Sequence, residues 1–138
     1  MNINSIYIVD DDAEDDDLVK EAFNELGIKN EVRFFRTGEE VLNKLRKDAE
    51  VPFLIISDVR LSKIDEFELR EKILNETSLK DKTVPFIFWS TSVSEAQIIR
   101  AYNLSAHGFF LKGRTFQELK QKLSEMVSYW SDSLAPKS

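Results

Sequence analysis

Five short apolar runs, each followed by a stretch of helical periodicity, constrain this chain more than any other feature. Ile6 to Val9, Val32 to Phe35, Phe53 to Ser57, Phe86 to Trp89 and Phe109 to Leu111 are too short for helices and rich in Ile, Val and Phe. Such runs read as buried strands of a parallel sheet. Leu18, Val19, Ala22, Phe23 and Leu26 mark a helix over residues 14–26 that Gly27 stops. Thr37-Gly38-Glu39-Glu40 has the form of a capping box and opens a second helix through Leu42 and Leu45. Phe67, Leu69, Ile73 and Leu74 predict a third, ending near Asn75. A fourth, capped within residues 92–95, carries Ala96, Ile98, Ile99 and Tyr102; a second Thr-x-x-Glu box at Thr115 opens a fifth through Leu119, Leu123, Met126, Val127 and Trp130. Regular strand–helix alternation with short connections implies an α/β fold: parallel strands joined by right-handed crossovers, with helices on both faces.

At 138 residues and 42% hydrophobic content the chain can bury one core and has no room for a second. We expect a domain over residues 1–130, a short tail over 131–138 and no output domain. The formal net charge of −6 gives no electrostatic footprint for nucleic acid or an anionic membrane. The absence of cysteine excludes disulfides, zinc–thiolate sites and a thiol nucleophile. No apolar run reaches the roughly 18 residues of a membrane span, and no basic-then-apolar leader opens the chain, so a cytoplasmic protein is expected.

The chemistry is concentrated in aspartates at the ends of two of the runs. Ile6 to Val9 leads straight into Asp10-Asp11-Asp12, and Phe53 to Ser57 into Asp58. In doubly wound sheets ligands bind beyond the carboxyl ends of the strands, where strand order reverses. If these two strands are neighbours, several carboxylates converge there. Like charges held that close raise one another's pKa or recruit a cation, and hard oxygen donors suit Mg²⁺. One of the carboxylates is then also a candidate for reaction.

From Ile6 to Trp130 the chain resembles the receiver domains of two-component response regulators. The residues that carry the resemblance are Asp10-Asp11 after the first strand, Asp58 after the third, Ser90 after the fourth and Lys112 after the fifth. The segment Asp58-Val59-Arg60-Leu61-Ser62-Lys63-Ile64-Asp65-Glu66-Phe67-Glu68-Leu69 is similar to the family's Asp-x-x-Met-Pro-x-Met-Asp-Gly-x-Glu-Leu. The resemblance implies a flavodoxin-like, five-stranded doubly wound sheet of order 2-1-3-4-5, and a protein of phosphorelay signalling rather than a multiple-turnover enzyme. It makes Asp58 the phosphoacceptor, supplied by a histidine kinase or histidine phosphotransfer protein. Mg²⁺, or Mn²⁺ in its place, would be held by Asp11, Asp58 and the backbone carbonyl of Arg60, with Asp10 acting through water. Lys112 and Ser90 would contact phosphoryl oxygens. Ser90 and Phe109 would form the switch, and Arg60 and Ser92 would tune the lifetime of the phosphoryl group. The output surface would be the fourth helix, fifth strand and fifth helix, facing an unidentified downstream protein or a second copy in a homodimer.

Several departures from the family pattern matter: Ser62 for Pro, Glu66 for Gly, and Gly113 for the Pro that usually follows Lys112. The first two predict a less rigid loop after Asp58. A cis bond before a non-proline residue costs about 3 kcal/mol, so a trans Lys112–Gly113 bond is expected. These changes keep open a pseudo-receiver that only binds partners. A haloacid-dehalogenase-like phosphohydrolase would use Asp10 and Asp12 as its Asp-x-Asp pair, but Glu14 stands where Thr or Val is expected. An EF-hand over residues 10–17 lacks the glycine its turn requires. Asp15, Asp16 and Asp17 read as the solvated start of a helix, favoured by its dipole. His107, the only histidine, reads as a solvated loop residue, and Tyr129 and Trp130 as packing for the last helix.

Overall fold

The computed structural model describes residues 4–47, 50–59, 65–76 and 84–133. Strands and helices alternate along the chain as β1 (Ile6–Val9), α1 (Ala13–Glu25), β2 (Val32–Phe35), α2 (Gly38–Lys47), β3 (Leu54–Asp58), α3 (Asp65–Asn75), β4 (Phe86–Ser90), α4 (Glu95–Asn103), β5 (Gly108–Leu111) and α5 (Phe116–Asp132). The strands form one sheet of order β2-β1-β3-β4-β5, with every pairing parallel. Chain order reverses between β1 and β3, which places the switch point of the sheet at their carboxyl ends.

Period-two alternation divides each strand between two cores. Tyr7, Val9, Ile55, Phe86 and Phe88 face α2 and α3, packing against Val41, Leu42, Leu45, Phe67, Leu69 and Ile73. Ile6, Ile8, Leu54, Ile56, Ile87 and Trp89 face α1 and α5, where they meet Val19, Phe23, Leu123 and Met126. The central strands are buried on both faces, which is why they read as unbroken apolar runs. That burial carries the polar residues at their ends into the interior.

Helix starts follow their caps closely. Ser94 and Gln97 form a complete reciprocal capping box on α4. The two Thr-x-x-Glu segments are shifted versions of it. Thr115 accepts from the Glu118 N–H at 3.1 Å, but the Glu118 carboxylate accepts from Arg114, one residue earlier. Thr37 and Glu40 do the same, with Arg36 as the donor. α3 begins at Asp65, ahead of its first apolar residue, Phe67. α5 runs on to Asp132, into the segment expected to be tail; residues 134–138 lie outside those described.

The carboxyl end of α4 is held by an unusual donor. Ser105 takes a left-handed φ of 58°, a conformation that costs a non-glycine residue roughly 1–2 kcal/mol. Arg70 of α3, 2% exposed, reaches across to donate to the carbonyls of Leu104 (3.0 Å) and Ser105 (2.9 Å). Its guanidinium lies over the Phe86 ring, and burial lowers its pKa to about 10. His107 is exposed, as the sequence suggests, but its ring is held in place. Its Nδ1 accepts from the Phe86 N–H at 3.0 Å and its ring meets Trp130 edge-on; burial, with Arg70 nearby, holds its pKa below the ordinary histidine value.

Among the described residues every peptide bond is trans, including Lys112–Gly113. In place of the family's proline, Gly113 turns the chain with a φ of 86°, and a Cβ there would lie 2.5 Å from the Glu118 Cβ. Gly27 also has a positive φ, 67°, but its surroundings are open. The pair separates backbone strain from steric clash. Gly27→Ala is expected to cost about 1 kcal/mol, and Gly113→Ala about 2–4 kcal/mol, in urea denaturation. Equal losses would mean that the α5 start yields to the new methyl group.

Candidate functional site

Parallel register brings the predicted residues to one level. Val9 pairs with Ser57, Asp58 with Trp89 and Ser90 with Leu111, so Asp10, Asp58, Ser90 and Lys112 all stand at the same edge of the sheet. Bonds from Asp10 to the Phe35 carbonyl, Val59 to Trp89 and Lys112 to Ser90 continue the ladders past the strand ends and fix the backbone there.

Lys112 is the centre of the cluster. Its ammonium lies 3.1 Å from carboxylate oxygens of Asp10, Asp15 and Asp58. It is 6% exposed, with the Trp89 ring centroid 5.1 Å from Nζ. Burial pulls its pKa down, but the charges of Asp58, Asp10 and Asp15 outweigh that and hold it above the ordinary lysine value. Asp10 is also buried, at 2% exposure; desolvation raises its pKa to about 6, against the opposing pull of Lys112 and the Asp12 N–H.

Carboxylate oxygens of Asp10, Asp11 and Asp58 lie within 4.8 Å of one another. Asp10 and Asp58 share Lys112 with Asp15, and the Asp11 carboxylate adds a further negative charge to the cluster. That excess of negative charge on hard oxygen donors fits a divalent cation such as Mg²⁺. The turn carrying Asp10 and Asp11 is braced from both sides. Asp10 Oδ1 accepts from the Asp12 N–H, and Arg36 donates to the Asp10 carbonyl and to Asp16. Asp12 caps α1 by accepting from Glu14, which gives the second aspartate of the Asp-x-Asp pair a structural task.

Ser90 is 3% exposed and donates through Oγ to the Val59 carbonyl. Its neighbours Thr91 and Ser92 are exposed, and the Ser92 N–H lies 3.4 Å from the Ser90 hydroxyl. Phe109 is half-buried, its ring 6.0 Å from Phe88 at the margin of the α2–α3 core. Arg60 and Ser62 lie outside the described residues; Glu66 lies in the first turn of α3.

The expectation that Asp15 and Asp16 are merely solvated fails. Asp15 binds Lys112, and Asp16, 6% exposed, binds Arg36. Helical periodicity carries the signal for both: Asp15 lies one turn before Val19, and Asp16 one turn before Val19 and two before Phe23, on the stripe that faces the sheet. Asp17 falls on the other side and is exposed.

A doubly wound parallel sheet with clustered aspartates and a lysine at its switch point is the architecture of receiver domains. The chain belongs to that family: the model of the response regulator receiver domain matches residues 6–124. It is 28% identical over 129 residues to the probable methanogenesis regulatory protein FilR2 of Methanothrix harundinacea, covering 91% of this chain and 82% of that one. The crystal structure of the phosphorylated cyanobacterial phytochrome response regulator RcpA superposes with a TM-score of 0.83 at 28% identity, over 96% of this chain and 98% of the other. The Mn²⁺-bound form of response regulator Rcp1 superposes at 0.79 with 26% identity, over 96% and 99%. Receiver domains of this family are in general signalling modules of two-component systems. Among the described residues no helix is long and apolar enough to cross a membrane.

The raised pKa of Asp10 sets a pH dependence. Its folded value of about 6 exceeds the ordinary 3.8, so the folded state binds the proton more tightly and stability falls as pH rises between those values. Without divalent metal, Asp10→Asn is therefore expected to be more stable than wild type at pH 7, by about 2–3 kcal/mol. The gap should close as pH falls from about 6 towards 4. Urea denaturation across that range checks it; a gap independent of pH would mean that the gain comes from another source.

Proposed function

We propose that the chain accepts a phosphoryl group on Asp58 from a histidine kinase or histidine phosphotransfer protein and thereby switches a partner-binding face. The observation that carries this reading is the placement of Asp58. Its carboxylate is 4% exposed, ion-paired to Lys112 and clustered with Asp10 and Asp11 at the switch point of the sheet. Transfer breaks the bond from phosphorus to the donor's histidine nitrogen and forms one to an Asp58 oxygen. A carboxylate attacks an anionic phosphoryl centre only where the combined charge is offset. Lys112 supplies one fixed positive charge for an equatorial oxygen.

Asp11 and Asp58 are the direct protein ligands we assign to a divalent cation, together with the Arg60 carbonyl, and Asp10 acts through water. When bound, Mg²⁺ neutralises charge on the phosphoryl oxygens. A Mn²⁺-bound form is known for Rcp1, which supports Mn²⁺ as a substitute. Ser90 turns its hydroxyl from the Val59 carbonyl to a phosphoryl oxygen, and Phe109 responds by changing how far it is buried. Arg60, two residues after the acceptor in sequence, and Ser92, whose N–H lies 3.4 Å from the Ser90 hydroxyl, are assigned to tuning the phosphate's lifetime.

The output face is α4, β5 and α5, where Ile99, Tyr102, Leu111 and Tyr129 are each at least half exposed. A downstream protein or a second copy would bind there, in the cytoplasm. Phosphorylation biases an equilibrium between two arrangements of such a face by adding charge and acceptors at one end of it.

Intact mass after incubation with acetyl phosphate and Mg²⁺ tests the reading. One added phosphoryl group is expected, absent in Asp58→Ala and after chelation, and formed at least about tenfold more slowly in Lys112→Ala. No addition, repeated with a range of histidine kinases, would favour a pseudo-receiver.

A further inference from the structure

The ammonium of Lys112 has three N–H donors, and three carboxylates surround it. It hydrogen-bonds to Asp10 and Asp15, each at 3.1 Å, and is ion-paired with Asp58 at the same distance. These partners are unequal. The side chains of Asp10 and Asp58 are 1% and 5% exposed, whereas that of Asp15 is 35% exposed. Asp15 is not one of the three carboxylates, Asp10, Asp11 and Asp58, whose oxygens lie close enough together to hold a cation. It projects from the first turn of α1 and shares with Lys112 the lining of a cavity of about 170 Å³ between α1 and α5, beside Trp89 and Phe116.

For Lys112 to donate to a phosphoryl oxygen it has to release one of its present partners. Asp10 and Asp58 are buried within the acidic cluster, where losing the lysine would leave a charge without water. Releasing Asp15 costs least, because its carboxylate is already partly hydrated. Until released, Asp15 occupies one of the three N–H donors of the ammonium. Resting on the reading of Asp58 as phosphoacceptor, we propose that Asp15 is a positioning residue that competes with the incoming phosphoryl group for Lys112 and so restrains phosphorylation. It touches no reacting atom and acts through Lys112.

The test compares wild type with Asp15→Asn, Asp15→Glu and Asp17→Asn. Asp17→Asn removes the same charge from an exposed position two residues on. Three quantities are measured: the second-order rate constant of phosphorylation by acetyl phosphate with Mg²⁺, the affinity for beryllofluoride as a stable phosphoryl mimic, and the affinity for Mg²⁺ alone. The last two are read by tryptophan fluorescence, since Trp89 packs against Lys112. Asp15→Asn is expected to raise the rate constant and the beryllofluoride affinity about three- to fivefold, the size of a lost, partly exposed ion pair, and to change Mg²⁺ affinity by less than about twofold. Asp15→Glu keeps the charge and should stay near wild type, as should Asp17→Asn. A wild type that is phosphorylated but gains nothing from Asp15→Asn overturns the proposal. Equal gains in Asp17→Asn overturn it in favour of a diffuse field, and a marked loss of Mg²⁺ affinity in Asp15→Asn overturns it in favour of Asp15 as a metal ligand. A wild type that takes up no phosphoryl group refutes the phosphoacceptor reading itself, and this proposal with it.

Discussion

One buried lysine among converging carboxylates is the interaction on which the site depends. A parallel sheet brings the ends of its strands to a common level, and the chain places an acidic residue at two of those ends and Lys112 just beyond a third. Lys112 is shared among three carboxylates, and its pull on Asp10 is outweighed by burial, which raises the Asp10 pKa to about 6. The fold therefore maintains a site that is electrostatically unfavourable when alone. Such an arrangement persists where the surrounding core over-determines it, and it is relieved by a ligand that brings positive charge.

The supports around the cluster show how the core maintains that strain. Arg36 ties the Asp10 backbone to Asp16, which fixes the acidic turn against α1 without adding to the charge inside the cluster. Gly113 fixes the other side. The family's proline gives way here to a left-handed glycine packed against the first turn of α5, and Lys112 still reaches the carboxylates. On the far side of the sheet Arg70 anchors the end of α4 to α3, so that the loop into β5 is not free to drift from the core.

The fold was legible because its signals are periodic and redundant. Each strand is a run of buried residues and each helix a recurring apolar stripe, so an error of one or two residues at a boundary changes nothing in the topology. The strand-end positions of Asp10 and Asp58 were legible for the same reason, since periodicity defines a strand end; Ser90 and Lys112 were singled out by the resemblance to receiver domains. Asp15 and Asp16 were misread because they were weighed as a charge run, whose usual fate at a helix start is solvation. Extending the stripe of Val19 and Phe23 back by one turn would have placed both against the sheet. Arg70 and Ser105 had no such signal. An arginine within an amphipathic helix usually carries its charge to solvent, and only the meeting of α3 with the end of α4 makes it a cap.

The same distinction separates the strand-end residues from those on the helix face beside them. Carboxylates and a lysine at strand ends follow from the family's sheet, and any member that keeps the topology can present them. Asp15 and Asp16 lie on a helix face that another receiver could fill with apolar residues at little cost to its fold, since α1 is already anchored through Val19, Ala22 and Phe23. Here those two positions are acidic, and each takes a cation that borders the cluster: Asp15 holds Lys112 and Asp16 holds Arg36. The interior face of α1 thus trades apolar packing for control of the positive charge around the acceptor. The first turn of α1 is therefore part of the site's electrostatics as well as a cover for the sheet.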